Sequence, residues 1–264
     1  MNFVRVNRIF LHYDVVGDEA APALVFCNSL GTDFRIWDKI VARLKDRYRI
    51  VLYDKRGHGL SEATPAPYPL SDHVDDLAAL LGHLKIAQAA IVGLSVGGLI
   101  AQGLAVDRAD LVAALVLADT AHKIGTEAGW NERIEAVRAN GIASIADGVL
   151  RLWFTPEFRA NGNPEFAGYR AMLTRSDAGG YVGTCAALRD ADLTQSTRAL
   201  RLPVLCLVGD QDGSTPPALV RSLADLIEGA EFLVIENAGH LPNVEQPDLF
   251  AELVSTFLEK AGHA

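Results

Sequence analysis

Apolar and polar positions along the chain fall into a few distinct patterns. Near the start, FVRV and IFLHYDVV alternate apolar with polar residues on either side of Asn7-Arg8, which predicts a β-hairpin. Further on, ALVFC (23–27), YRIVLYD (48–54), AAIVG (89–93), LVAALVLAD (111–119) and LPVLCLVGD (202–210) are continuous or nearly continuous apolar runs. That is the pattern of strands covered on both faces. EFLVIE (231–236) reads as a further strand. Between them, apolar residues recur every three or four positions. Ile36, Ile40, Val41 and Leu44 mark a helix starting near Asp33, and Val74, Leu77, Leu81 and Leu84 mark one that Ser71 is placed to cap. Ser95 to Ala105 reads as a small-residue helix, and two more helices follow Val220, Leu223 and Leu226, then Leu249, Phe250, Leu253 and Phe257.

Strands alternating with helices predict an α/β fold, a mostly parallel central sheet flanked by helices. The alternation breaks from His122 to Thr197, where only helical stretches such as WNERIEAVRA and ADGVLRLWF occur. The spacing predicts a core domain over 1–121 and 198–264. Residues 122–197 form a helical cap insertion over the sheet's ligand-binding edge.

Composition narrows the class. With 264 residues, half of them hydrophobic, the chain can bury a full core, and no apolar stretch approaches the length of a membrane span. A formal charge of −9 argues against nucleic acid or an anionic membrane as partner. It also means that an anionic ligand needs a locally positive pocket. The opening MNFVRVNRIFLHYD has no basic segment leading into an apolar one, so no signal peptide is expected and the protein reads as cytoplasmic. Cys27, Cys185 and Cys206 are irregularly spaced and read as buried small hydrophobes, not as a disulfide or zinc framework.

The strongest chemical signal is Gly93-Leu94-Ser95-Val96-Gly97-Gly98, a G-x-S-x-G sequence between a buried strand and a helix. A turn that sharp strains the serine backbone, and flanking glycines remove the clashes that would forbid it. The hydroxyl is thereby raised above the carboxyl edge of the sheet, and the Val96 N–H is left free at a helix N-terminus to meet an oxyanion. A serine needs a base. His240 follows the strand EFLVIE and so lies at that edge. His12, His73, His83 and His263 read as structural, whereas His58 and His122 are placed to line the site. The acid comes from LVGDQDGSTPP. Asp212 lies further into the loop than Asp210 and is better placed to reach the histidine, although spacing alone separates the two only narrowly. The loop Asn28-Ser29-Leu30-Gly31 offers a second oxyanion donor, the N–H of Leu30.

These motifs, in the order serine, acid, histidine, resemble the α/β-hydrolase family along the whole chain. More narrowly, Asn28-Ser29-Leu30-Gly31-Thr32-Asp33, Tyr53-Asp54-Lys55-Arg56-Gly57-His58-Gly59, the Ser95 motif and Thr120-Ala121-His122-Lys123-Ile124-Gly125-Thr126 are similar to the 3-oxoadipate enol-lactonase family. So are Gly209-Asp210-Gln211-Asp212 and Ala238-Gly239-His240-Leu241-Pro242, a match that selects Asp212 over Asp210. The resemblance implies Ser95, Asp212 and His240 as triad and the Leu30 and Val96 amides as oxyanion hole. The implied reaction is hydrolysis of an enol-lactone in bacterial degradation of aromatic compounds by the β-ketoadipate pathway, with no metal and no cofactor. It also implies a small-molecule substrate bearing a free carboxylate, a charge costly to bury unpaired. Arg133, Arg138, Arg151 and Arg175 lie in the insertion, with Trp130, Trp153 and His122 as further candidate contacts. Arg133 is the chosen cation, because Trp130 lies three residues before it on the same helical face. Rival readings on the same triad are another carboxylesterase, a carbon–carbon bond hydrolase or a perhydrolase. A lactone receptor that scarcely turns over is the non-enzyme alternative. The oligomeric state is not legible.

Overall fold

The computed structural model describes residues 1–160 and 162–263. Its centre is an eight-stranded sheet: β1 (Asn2–Val6), β2 (Ile9–Val16), β3 (Ala23–Cys27), β4 (Arg49–Tyr53), β5 (Ala89–Leu94), β6 (Val112–Ala118), β7 (Val204–Gly209) and β8 (Glu231–Ile235). The strands lie in the order β1-β2-β4-β3-β5-β6-β7-β8. The hairpin β1–β2 is antiparallel and joins β4 antiparallel, while every pair from β4 to β8 is parallel. The apolar strands pack on both faces, as their unbroken runs require. In β3, Leu24 and Phe26 enter one core and Val25 and Cys27 the other.

The helices are α1 (Asp38–Leu44), α2 (Leu70–His83), α3 (Val96–Asp107), α4 (Glu127–Asn140), α5 (Ala146–Trp153), α6 (Pro164–Thr174), α7 (Ala178–Asp190), α8 (Thr194–Thr197), α9 (Pro217–Ala224), α10 (Pro242–Glu245) and α11 (Pro247–Lys260). One core joins α1 and α11 to α4, α5 and α7, and the other gathers α2, α3 and α9. Between β6 and β7 the described residues hold five α-helices and no strand.

Three local expectations need correction. Ser71 does not cap α2. The helix begins at Leu70 behind Pro69, whose ring fixes φ at −72° and turns the chain into the helix two residues earlier. The segment after Asp33 enters as a 3-10 turn, Phe34–Trp37, before α1, with the Asp33 carboxylate accepting the Arg35 amide at 3.1 Å. Leu226 lies beyond α9, which ends at Ala224.

Candidate active site

Ser95 stands where β5 gives way to α3, at φ 58° and ψ −120°, a conformation few non-glycine residues adopt. The surrounding glycines make that turn possible by close approach. A Cβ on Gly97 would stand 2.1 Å from the Cys27 carbonyl oxygen, and one on Gly93 would stand 2.4 Å from the Gly97 oxygen. β6 braces the turn from the side. The Ser95 amide donates to the Ala118 carbonyl at 3.0 Å, and the Thr120 hydroxyl donates to the Ser95 carbonyl at 2.7 Å.

The loops after β7 and β8 bring Asp212 and His240 together. His240 Nδ1 lies 2.9 Å from Asp212 Oδ2, and both side chains are almost wholly buried. Asp212 also accepts the Thr215 hydroxyl at 2.6 Å and the Ser214 and Thr215 amides at 2.7 and 3.0 Å. Burial alone would raise its pKa. The His240 partner and the Thr215 donors overcome that and hold it below the usual carboxylate range. Asp210 sits elsewhere, exposed, with its carboxylate accepting the Ala238 amide at 3.1 Å. The His240 loop is tied to the segment between β6 and β7. The His240 amide donates to the Trp153 carbonyl at 2.8 Å, and Glu245 bridges the Gly239 amide to the Thr155 hydroxyl and amide. Ser95 and His240 share the carboxyl edge of the sheet without a hydrogen bond between them among the described residues. Such contacts are often long before a ligand tightens them.

Leu30 and Val96 present amides with no protein acceptor among the described residues. The loop bearing Leu30 is held from behind by two residues whose part sequence reasoning did not foresee. Lys55 Nζ donates to the Ser29 carbonyl at 2.6 Å, and His58 Nε2 accepts the Gly31 amide at 3.0 Å. Burial drives the Lys55 ammonium down to about 7, partly offset by Asp54. Burial and then Lys55 push His58 well below its ordinary value, so the ring is neutral, with Nδ1–H facing the Arg56 carbonyl at 3.2 Å. The Asp-Lys-Arg-Gly-His-Gly stretch was the available signal. What it could not reveal was its partner loop.

The candidate ligand contacts divide. The Arg133 guanidinium stacks over the Trp130 ring, 5.1 Å from its centroid, and Trp130 Nε1 donates to the Ile124 carbonyl at 2.7 Å. Arg133 is near enough to Tyr181 to oppose the upward push that burial gives its phenol. Tyr181 in turn packs on Gly31, where a Cβ would stand 3.0 Å from its ring. Arg133 is half-buried, whereas Arg138, Arg151 and Arg175 are exposed. Trp153 is buried beside the His240 loop. His122 is half-buried at the foot of the helical segment, among Asp192, Arg198 and Lys123, with its pKa lowered by burial. No hydrogen bond joins it to Ser95 among the described residues.

Asp119 is the residue that sequence reading missed altogether. It directly follows β6, wholly buried, and one oxygen of its carboxyl lies within 4.8 Å of both Asp212 and His240. The three side chains have ligand types that could hold a divalent ion. An ion there would occupy the His240 and Asp212 atoms that serine chemistry needs. A cleft of about 960 Å³ lies apart from this edge, between α6 and the 3-10 turn. Asp14, Asp33, Asp38, Asp54 and Glu165 outnumber Arg35, Lys39 and Arg175 on its wall, a poor setting for an anion.

The model of the alpha/beta hydrolase family matches residues 24–253. Among curated proteins, 3-oxoadipate enol-lactonase 2 of Acinetobacter baylyi is 36% identical over 253 residues, covering 96% of this chain and 94% of that one. The crystal structure of the enol-lactonase from Burkholderia xenovorans LB400 superposes with a TM-score of 0.95 at 36% identity, over 98% of this chain and 100% of that one. A hydrolase from Pseudomonas aeruginosa PA01 superposes with a TM-score of 0.94 at 35% identity, over 97% of each chain.

Proposed function

The chain belongs to the alpha/beta hydrolase family and is an ester-hydrolysing enzyme, and from that premise we propose that it opens 3-oxoadipate enol-lactone to 3-oxoadipate with Ser95, His240 and Asp212 as its catalytic triad. The β-ketoadipate route of aromatic degradation is the metabolic setting of this reading. The observation that carries it is a strained Ser95 at the head of α3, at the same sheet edge as a buried His240–Asp212 pair.

The Ser95 proton passes to His240 Nε2 as Oγ bonds to the lactone carbonyl carbon. Negative charge gathers on the carbonyl oxygen, facing the Leu30 and Val96 amides. When the tetrahedral centre collapses, the ring C–O bond breaks and His240 returns the proton to the enolate oxygen. The enol relaxes to a ketone, which draws ring opening forward. Water then gives a proton to His240 and attacks the acyl ester, and Ser95 leaves with the proton restored. Asp212 holds the ring with Nδ1–H inward and stabilises its cationic form.

Residues 122–197 act as the cap, with Arg133 pairing the substrate carboxylate and Trp130 and Trp153 forming the apolar wall. Arg133 is supported by its half-burial and by the chain of contacts through Tyr181 to the Leu30–Gly31 loop. A charge-assisted pair of this kind contributes on the order of 1.5–3 kcal/mol. Arg133→Ala is therefore expected to raise KM for the enol-lactone roughly ten-fold or more while leaving p-nitrophenyl acetate nearly untouched. Equal losses on both substrates would make Arg133 a structural residue. Preferential turnover of a meta-cleavage dienone, or peroxide-dependent halogenation, would replace the lactonase reading itself.

A further inference from the structure

One buried acid has no task in this scheme. Asp119 lies at the end of β6, between the strands that lead to Ser95 and to Asp212. It is 0% exposed and sits at φ 47°, a left-handed conformation that residues other than glycine seldom adopt. Its Oδ1 accepts the Gly209 amide at 2.9 Å, and its Oδ2 has no partner among the described residues. An acceptor left orphaned so deep in the protein is expensive.

The arrangement around it explains the orphan. Everything that Asp212 receives is a donor: two amides, a hydroxyl and the His240 ring. One oxygen of Asp119 lies within 4.8 Å of this group. Two carboxylates so close in a dry site do not both ionise. Burial first, then Asp212 and more distantly Glu245, push the Asp119 carboxyl well above the usual range, and with His240 these are the titratable groups that face it.

We infer that Asp119 is a neutral carboxylic acid whose Oδ2–H donates to Asp212, so that it holds the triad acid in line with His240 without adding a second negative charge. It is a positioning residue, and the inference rests on reading Ser95, His240 and Asp212 as the triad. The single charge has a chemical purpose. When His240 takes the Ser95 proton, the imidazolium should meet one anion. A second would hold the proton too tightly to return it to the leaving enolate.

Two variants and one spectroscopic measurement test this. Asp119→Ala removes the donor and should lower kcat on the order of ten-fold or more. Asp119→Asn, with Nδ2–H in place of Oδ2–H, should recover most of that loss and leave the midpoint of the acid limb of kcat/KM where the wild type has it, since a neutral group replaces a neutral group. If Asp119 were ionised, Asp119→Asn would delete a charge beside His240 and lower that midpoint by on the order of one pH unit, which would overturn the inference. The infrared difference between wild type and Asp119→Asn near neutral pH should contain the C=O stretch of a protonated carboxyl, and its absence would equally overturn the inference. That band does not depend on turnover. If it is present while Ser95→Ala still hydrolyses the lactone, the triad reading has failed and the state of Asp119 stands.

Discussion

At the level of single residues, Lys55 carries a hidden cost of burial. Its ammonium is wholly buried with one carbonyl acceptor, and burial brings it from its ordinary range to about 7. The unfolded chain therefore holds a proton on Lys55 between about pH 7 and its ordinary pKa that the folded chain has released. Stability rises with pH wherever the unfolded state binds more protons. Below pH 7 the folded protein bears the full penalty of a buried charge, and the penalty fades as pH climbs through that window. Lys55→Met removes the titration. Its urea midpoint should exceed or approach that of the wild type most at pH 6, and the wild type should gain on it by pH 9. Parallel pH dependences would show that Lys55 is solvated or paired in a way the structure does not contain. The residue was visible in the sequence as part of Asp-Lys-Arg-Gly-His-Gly. Its role was not, because the Ser29 carbonyl that it meets is 26 residues away in the chain.

At the scale of elements, α7 rests closely on the loop after β4. A Cβ on Gly180 would stand 2.1 Å from the Gly57 oxygen and 2.4 Å from its Cα, both backbone atoms that cannot swing away. Gly57 itself is at φ 71°, and the same loop carries Lys55 and His58, which hold the Ser29–Gly31 carbonyl and amide. Overpacking at such a contact costs about 1–3 kcal/mol. Gly180→Ala should lower the melting temperature and raise KM for the lactone. Gly168→Ala, in α6 with nothing near its Cβ, should be neutral or slightly stabilising. Equal behaviour of the two variants would mean that α7 does not bear on the loop. The strands were legible because a run buried on both faces must be apolar throughout, as ALVFC is. Helix starts were less so, since Ser71 and Pro69 both offer a beginning and the fixed φ of proline wins. The Ser95 turn announced itself because close approach demands glycine at fixed offsets. Asp119 did not, because its significance depends on Gly209, ninety residues on.

At the scale of the whole molecule, electrostatics and shape pull against the proposed substrate. The net charge is −9, and the cleft between α6 and the 3-10 turn carries more carboxylates than cations. Long-range attraction therefore cannot deliver an anionic lactone, and close contacts at the sheet edge must. The half-buried Arg133, stacked on Trp130, is the one of the four arginines singled out in 122–197 that is withdrawn from solvent. No helix of the described residues is long and apolar enough to cross a membrane. The sheet order then sets the whole arrangement: Ser95 follows β5, Asp212 follows β7 and His240 follows β8, with the end of β6 between serine and acid. The most direct test mixes the protein with 3-oxoadipate enol-lactone, generated in situ from its muconolactone precursor, and follows lactone loss in wild type and in Ser95→Ala. The account predicts many turnovers per wild-type molecule and a kcat lower by roughly three orders of magnitude or more in Ser95→Ala, with the circular dichroism of the fold preserved. Near wild-type turnover by Ser95→Ala, or a single turnover by the wild type, would contradict it.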